Sequence, residues 1–269
     1  MTRVIQCDAC GGSLVYDAGR EAATCLFCGS VALRPEDLVH VPTPDAAIPF
    51  AIEPGTADEQ FRRWARSSWW YPKELRGLKV ELSAAMLPAW RFYATLETHW
   101  TGLASARTRS GYRPRGGVES AELQTLIPAS LGLSERELSA LSPFDEEDAA
   151  KWEPEEAGVP YEPPSLSEPA AREQARERLT DIHRRRIGAS EELTATRASA
   201  VVSFDASRLV MLPIWIGSFR YRDLPWRFVI NAQTGRVTGK APLDRVKVAM
   251  AVTLVMVVAA VIAWLRLRS

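Results

Sequence analysis

The stretch Met86-Leu87-Pro88-Ala89-Trp90 recurs as Met211-Leu212-Pro213-Ile214-Trp215. After the first copy, Arg91, Tyr93, Thr95 and Glu97 alternate with Phe92, Ala94, Leu96 and Thr98. A period of two places successive side chains on opposite faces of a strand. Residues 86–100 therefore read as a strand, preceded by a shorter one at Val80-Glu81-Leu82. The two copies read as equivalent strands of two related halves. A proline inside such a pattern removes a ladder donor, which points to an edge strand or a bulge. Trp90 and Trp215 are expected to have buried rings.

Working outward, Asp58 is placed to cap a helix that runs to about Trp70, with Phe61, Trp64, Ala65 and Ser68 on one face and Pro72 ending it. The second copy leads into a meander. Ile216 to Tyr221 is one strand, Arg222-Asp223-Leu224-Pro225 the turn, and Trp226 to Asn231 the return. Gln233-Thr234-Gly235 turns again into Arg236-Val237-Thr238, and Ala198 to Phe204 is a further strand upstream. Residues 105–117, with Arg107, Arg109, Arg113 and Arg115, read as a solvated loop. Ser134-Glu135-Arg136-Glu137 is a capping box for a short helix to about Leu141. Residues 142–169 hold nine carboxylates against Lys151, with six prolines, and read as an acidic linker without regular structure. Ser167 to Ile187 reads as a helix with Ala171, Ala175, Leu179 and Ile182 on one stripe.

The four cysteines, Cys7, Cys10, Cys25 and Cys28, have the spacing C-x2-C-x14-C-x2-C. Each C-x2-C turn brings two sulfurs to one side of a tight loop, as a tetrahedral zinc requires. Gly11, Gly12 and Gly29 let the chain reverse after each pair. Ser13–Tyr16 and Glu21–Thr24 read as strands around an Asp17-Ala18-Gly19 turn. Two disulfides in a secreted domain fit less well, because no signal peptide precedes Cys7. Four thiolates close a zinc site, so the metal is expected to be structural. The ribbon would be a separate module, surviving or unfolding independently of the larger domain.

The chain has 269 residues, with 33 Lys plus Arg balancing 33 Asp plus Glu. A nucleic-acid binder usually carries a basic excess. The ribbon is acidic, with Arg3, Arg20 and Arg34 against Asp8, Asp17, Glu21, Glu36 and Asp37. Nucleic acid is therefore not the expected partner. Val248 to Leu265 is an uncharged apolar run, about 27 Å long as a helix, near the thickness of a bilayer core. Trp264 sits at its far boundary, Lys247 is placed to snorkel at the near one, and Thr253 is its lone hydroxyl. Arg236, Lys240, Arg245 and Lys247 outnumber Arg266 and Arg268, which places the N-terminal bulk in the cytoplasm. With so few residues beyond the run, it is expected to be a tail anchor.

The sequence offers little catalytic material. Gly235 to Ala241 fails as a phosphate loop on spacing and lacks the Ser or Thr that meets magnesium. The pairs Glu146-Glu147 and Glu155-Glu156 lie in the acidic segment, with nothing expected to bury them. Three histidines, His40, His99 and His183, are far apart.

The zinc-ribbon spacing, the Trp-containing helix before a proline, the two L-P-x-W strands, the Asn231-Ala-Gln-Thr-Gly235 turn and the C-terminal apolar run together resemble an uncharacterised bacterial membrane-protein family. Members are often labelled primosomal protein N-prime (replication factor Y) or superfamily II helicase; no ATP-binding motif supports such a label here. Some resemble partners of flotillin-like (SPFH) and phage-shock-A-like envelope-stress proteins. The resemblance implies a membrane-tethered adaptor with no established enzymatic activity.

The expected fold is α+β. It has an N-terminal four-cysteine zinc ribbon (1–37), a mixed, mainly antiparallel β-rich soluble domain (48–141 and 170–241) divided by the acidic segment (142–169), and a single C-terminal transmembrane helix (246–265). The expected function is a non-enzymatic adaptor that recruits cytosolic or membrane proteins to the bacterial inner membrane. The alternative is a membrane-tethered zinc-ribbon protein that binds nucleic acid or serves transcription; an enzyme with no legible site is a third reading.

Overall fold

The computed structural model describes residues 3–16, 24–36, 42–105, 111–154, 158–222 and 224–268. The fold is α+β. Its strands are β1 (Arg3–Cys7), β2 (Ser13–Tyr16), β3 (Leu33–Glu36), β4 (Ala46–Ala47), β5 (Glu81–Ser105), β6 (Tyr112–Pro128), β7 (Ala150–Lys151), β8 (Leu193–Tyr221), β9 (Leu224–Asn231) and β10 (Val237–Gly239). The helices are α1 (Pro54–Arg66), α2 (Glu135–Leu141), α3 (Glu168–Ser190) and α4 (Arg245–Arg268), with a short 3-10 turn at Lys73–Gly77.

Two of the strands are far longer than ordinary ones: β5 has 25 residues and β8 has 29. They run antiparallel along nearly their whole length, and Leu87 lies opposite Leu212. From that pair the register is symmetric, with Met86 opposite Pro213 and Pro88 opposite Met211. The two L-P-x-W copies thus cross at a local two-fold axis in mid-sheet. Beyond it β5 pairs with β6, and β8 with β9. The chain therefore builds two units of the same order, α1–β5–β6 and α3–β8–β9.

The prolines correct the edge expectation, because both lie in interior strands. Each sits at the end of its outer neighbour: β6 pairing begins at Ala89 with Pro128, and β9 pairing at Ile214 with Asn231. Ala129 donates its N–H to the Pro88 carbonyl, and Ala232 donates to that of Pro213, both at 3.0 Å. Proline cannot return the bond. The free carbonyl of Ala129 instead accepts from Ser165 N–H (2.7 Å) and Oγ (2.9 Å), and that of Ala232 from the N–H groups of Ala51 (3.0 Å) and Ile52 (2.9 Å). The missing donor is what lets the segment leading into each helix dock on the sheet. The indoles complete the joint. Trp90 Nε1 donates to the Leu166 carbonyl (2.8 Å), and Trp215 Nε1 to that of Ile52 (2.9 Å), each one residue before a helix cap. Both rings are buried.

One face of the sheet is covered by α1, packing Ala57, Phe61 and Ala65 on Trp215, Phe219 and Phe228, and by α3, packing Ala171 and Ala175 on Trp90, Phe92 and Leu209. The buried stripe of α3 continues through Leu179, His183 and Ile187; His183 Nδ1 lies 2.8 Å from Thr98 Oγ1. The Ser134 capping box forms as expected. Helix α1 starts earlier than expected, with Glu53 at the N-cap position making no side-chain cap and Pro54 in its first turn, so that Asp58 lies inside the helix; it ends at Arg66. The solvated-loop reading is corrected in part: 112–117 belong to β6, whose Gly and Arg content hid the strand. Arg107, Arg109, Asp223, Glu155, Glu156 and the Asp17–Ala23 stretch lie outside the described residues.

The acidic linker reading is also corrected. Residues 142–154 and 158–167 are mostly irregular but packed, with Phe144, Trp152 and Glu162 buried. Asn231 fastens part of this segment. Its Nδ2 donates to the carbonyls of Leu141 and Pro143 (both 3.0 Å), while its Oδ1 accepts from Gln233 and Thr234 N–H. Gly235, at φ 77°, closes that turn as a hairpin link, in keeping with the rejection of a phosphate loop.

Candidate metal centre

Cys7 and Cys25 each start a turn of the same construction. Gly11 N–H donates to the Cys7 carbonyl and Gly29 N–H to that of Cys25, both at 2.8 Å. Gly11 and Gly29 take φ of 74° and 73°, which L side chains rarely adopt. The two turns face each other, and all four sulfurs lie within 4.8 Å of one another. Cys7 Sγ is 3.6 Å from Cys28 Sγ, and Cys10 Sγ is 3.7 Å from Cys25 Sγ. A tetrahedron of sulfurs about 2.3 Å from a zinc ion has edges of about 3.8 Å. The donor set fits one metal ion, and the four residues are those the spacing singled out. The supporting sheet, in the order β2-β1-β3, differs from the expected strand pair: β1 and β3 were not foreseen.

Burial works against ionising Cys7, Cys10 and Cys25. At Cys7 the N–H groups of Cys10 and Ala9 and the neighbouring sulfurs outweigh it and bring the thiol down to about 7. At Cys10 and Cys25 burial prevails and the pKa is raised. Four thiolates cannot crowd together in such a place without a cation to compensate them.

The centre is seated on the larger domain rather than tethered beside it. Cys7, Leu14, Cys25 and Phe27 share a hydrophobic cluster with Leu87, Leu212, Leu133 and Leu138, on the sheet face opposite α1 and α3. Phe27, inside the second cysteine turn, lies against Gly12 and Gly132; a Cβ on either glycine would come within 2.4 Å and 2.1 Å of its ring. Val15 and Tyr161 exchange backbone hydrogen bonds at 2.7 and 3.2 Å. Glu162 follows. It is 1% exposed and accepts from Leu131 N–H (2.7 Å), Gly132 N–H and the Ser130 hydroxyl. Burial pushes its pKa up to about 7 against those donors and the nearby Arg227. Arg227 reaches the Gly132 carbonyl, and its guanidinium stands 5.8 Å from the Phe27 ring centroid.

Sequence reasoning missed Phe27, Glu162 and the pair of buried Arg91 with half-buried Glu146, in which Arg91 also donates to the Phe144 carbonyl at 2.8 Å. The reading of Glu146 as an unburied linker acid is corrected. The hint for Glu162 was its lone place among Tyr161, Pro163 and Pro164. A cleft of about 760 Å³ opens beside this seat, lined in part by Arg136, Glu137, Trp226, Arg227 and Lys240. Its Ser134 hydroxyl is engaged with Glu137, and Glu137 with Arg227.

At the other end, Arg245–Arg266 is long and apolar enough to cross a membrane, and its apolar 18-residue run is not buried against the protein.

No family model matches the chain, and no solved structure matches it. The chain is similar to the uncharacterised protein YdjG of Bacillus subtilis (strain 168), at 25% identity over 228 residues, covering 77% of this chain and 66% of that protein. It thus spans just under two thirds of that relative's length.

Proposed function

We propose that this chain is a non-enzymatic adaptor held in the bacterial inner membrane by α4, with a zinc ion bound structurally by Cys7, Cys10, Cys25 and Cys28, and with its sheet domain presented to cytosolic protein partners. The observation that carries this reading is α4 itself, whose apolar run lies outside the core with Val255, Met256 and Trp264 exposed. In water that surface would be a liability; in a bilayer it is the anchor. The flanking cations, Arg236, Lys240, Arg245 and Lys247 against Arg266 and Arg268, favour a cytoplasmic N-terminal domain. Thiolate chemistry suits that reducing side. The long three-stranded arm formed by β5, β6 and β8 leaves Tyr112, Val118 and Val201 exposed, and offers a surface for a protein partner. By the family resemblance, flotillin-like and phage-shock-A-like proteins are the first partners to try.

Membrane fractionation of the full chain and of a form lacking 246–269 tests the anchor. The full chain should sediment with membranes and float with vesicles; the shortened form should stay in the supernatant, bound to zinc. Recovery of the shortened form with protein-free vesicles of uncharged phosphatidylcholine would remove the basis of the proposal. Salt-sensitive DNA or RNA binding by the full chain would favour the nucleic-acid alternative.

A further inference from the structure

The loop that follows α1, residues 67–72, grips the first turn of α4. Asp244 donates its N–H to the Trp70 carbonyl at 2.8 Å. The Lys247 ammonium donates to the carbonyls of Trp69 (2.7 Å) and Tyr71 (3.0 Å), and pairs with Asp244 at 3.4 Å. It stands 5.3 Å from the Trp69 ring centroid. Lys247 immediately precedes the uncharged run 248–265, so this loop lies level with the point where the apolar helix begins.

Two large aromatic rings are left in the open there. Trp69 and Trp70 meet edge to face, with centroids 5.1 Å apart, and are 61% and 41% exposed. Trp90, Trp152 and Trp215 are by contrast buried. Adjacent exposed indoles are costly in water, and they favour the headgroup layer of a bilayer, where the ring is half dehydrated and its N–H can still bond. The surrounding sequence is cationic within a chain of zero formal charge: Arg62, Arg63, Arg66, Lys73, Arg76 and Lys79 stand against Glu74. All six cations are exposed, and Arg62 also pairs with Asp58 at 2.7 Å.

Resting on the reading of α4 as a membrane span, we propose that residues 62–79 form a second membrane contact. Trp69 and Trp70 insert into the interfacial layer beside α4, and the neighbouring Arg and Lys meet anionic lipid headgroups. The hydrogen bonds to Asp244 and Lys247 join loop and helix at three points, so this contact would set the tilt of the domain on the bilayer instead of leaving it to swing on one helix. The occupant is the lipid surface, because the loop is continuous with the helix that enters it, and because cations and indoles together match an anionic headgroup layer.

Tryptophan emission of the full chain, reconstituted in vesicles whose lipids carry bromine near the headgroup, tests this. Bromine quenches an indole only on contact within the bilayer. Wild type, the double variant Trp69→Phe/Trp70→Phe, and Trp264→Phe are compared in phosphatidylglycerol-containing and in pure phosphatidylcholine vesicles. A quenched component that the double variant loses, and that falls about twofold or more without the anionic lipid, is the expected result. Equal quenching in wild type and the double variant overturns the proposal, and equal loss in both lipids overturns its electrostatic half. Trp264 separates the two readings. If Trp264 is quenched while Trp69 and Trp70 are not, the second contact alone fails. If the chain neither floats with the vesicles nor shows quenching at Trp264, the span itself fails.

Discussion

The α1–β5–β6 and α3–β8–β9 units share one joint and differ in what they attach to it. In each, a proline frees a carbonyl, the segment leading to the other unit's helix takes that carbonyl, and an indole of the proline's own strand seals the joint. Around the joint the units diverge. The 23-residue α3 lies along the long arm, whereas the 13-residue α1 is followed by the loop that grips α4. Ile48 and Glu162 occupy matching places: Ile48 donates its N–H to the Met211 carbonyl and Glu162 to that of Met86, both at 3.0 Å. Both side chains are buried, yet one is apolar and the other an acid that holds the loop under the cysteine turns. A repeated backbone device can therefore carry two attachments, one toward the four-cysteine cluster and one toward the apolar helix α4, without altering the device.

The largest expected effect comes from removing the metal. Structural zinc in small peptide sites contributes on the order of 10–16 kcal/mol. Cys7 and Cys25 lie in the same cluster as Leu87 and Leu212, at the two-fold axis. Chelation, or Cys25→Ser, is therefore expected to lower the melting transition of the whole soluble domain in calorimetry. Loss of a small separate transition beside an unchanged main one would restore the ribbon as an independent module and detach it from the comparison.

The two indoles come next. Trp90→Ala and Trp215→Ala are each expected to destabilise by about 3–5 kcal/mol in denaturant unfolding, from lost packing and a lost bond to a pre-helix carbonyl. Equivalence of the units calls for the two values to agree within about 1 kcal/mol, given that such costs vary with local relaxation. A near-neutral result at either site would break it.

Much of this was legible in the sequence, for definite reasons. Cysteine spacing determines which sulfurs can meet, so the four-residue cluster could be read directly. An uncharged run of bilayer length marks α4, and the L-P-x-W recurrence marks the two-fold axis. The β6 strand was obscured because Arg113, Arg115, Gly116 and Gly117 read as a loop, whereas a strand paired along one side tolerates them. The acidic segment misled for a similar reason. Composition reports the average preference of a stretch, whereas Phe144, Trp152 and Glu162 are buried by particular tertiary contacts that no periodicity encodes. The helix half of the repeat became visible only once the structure aligned it: Ala57, Glu59, Gln60 and Arg62 then match Ala171, Glu173, Gln174 and Arg176 at constant spacing.

Glu162 gives a pH-dependent contrast with Ile48. Its pKa of about 7 in the folded chain lies above the ordinary value of 4.5. Between those values the folded state keeps a proton that the unfolded state has released. Stability should therefore fall as pH rises through that window, by up to roughly 3 kcal/mol, and level off above it. Glu162→Gln cannot ionise, so the difference in unfolding free energy between wild type and variant should track this fall. A difference that stays flat from about pH 5 to 8 would mean that the Ser130, Leu131 and Gly132 donors fully offset the burial.

The smallest expected effect bears most directly on why the motif contains proline. Pro88→Ala and Pro213→Ala each add a backbone N–H that faces the carbonyl of Ala129 or Ala232. That carbonyl already accepts two donors, Ser165 N–H and Oγ in one unit and the N–H groups of Ala51 and Ile52 in the other. The new donor must compete for it or go without a partner, and a buried unsatisfied N–H costs about 1–3 kcal/mol. Losing the ring also frees the unfolded chain, worth about 0.4–1 kcal/mol. Were the prolines merely tolerated, only the second, smaller loss would appear. The two accounts also differ in where the damage shows. Competition for the carbonyl should speed hydrogen exchange at Ser165 in the first variant and at Ala51 and Ile52 in the second, leaving the other joint protected. A loss below about 1 kcal/mol with no change in exchange at those amides would return proline to a passive role and leave the indoles alone to define the joint.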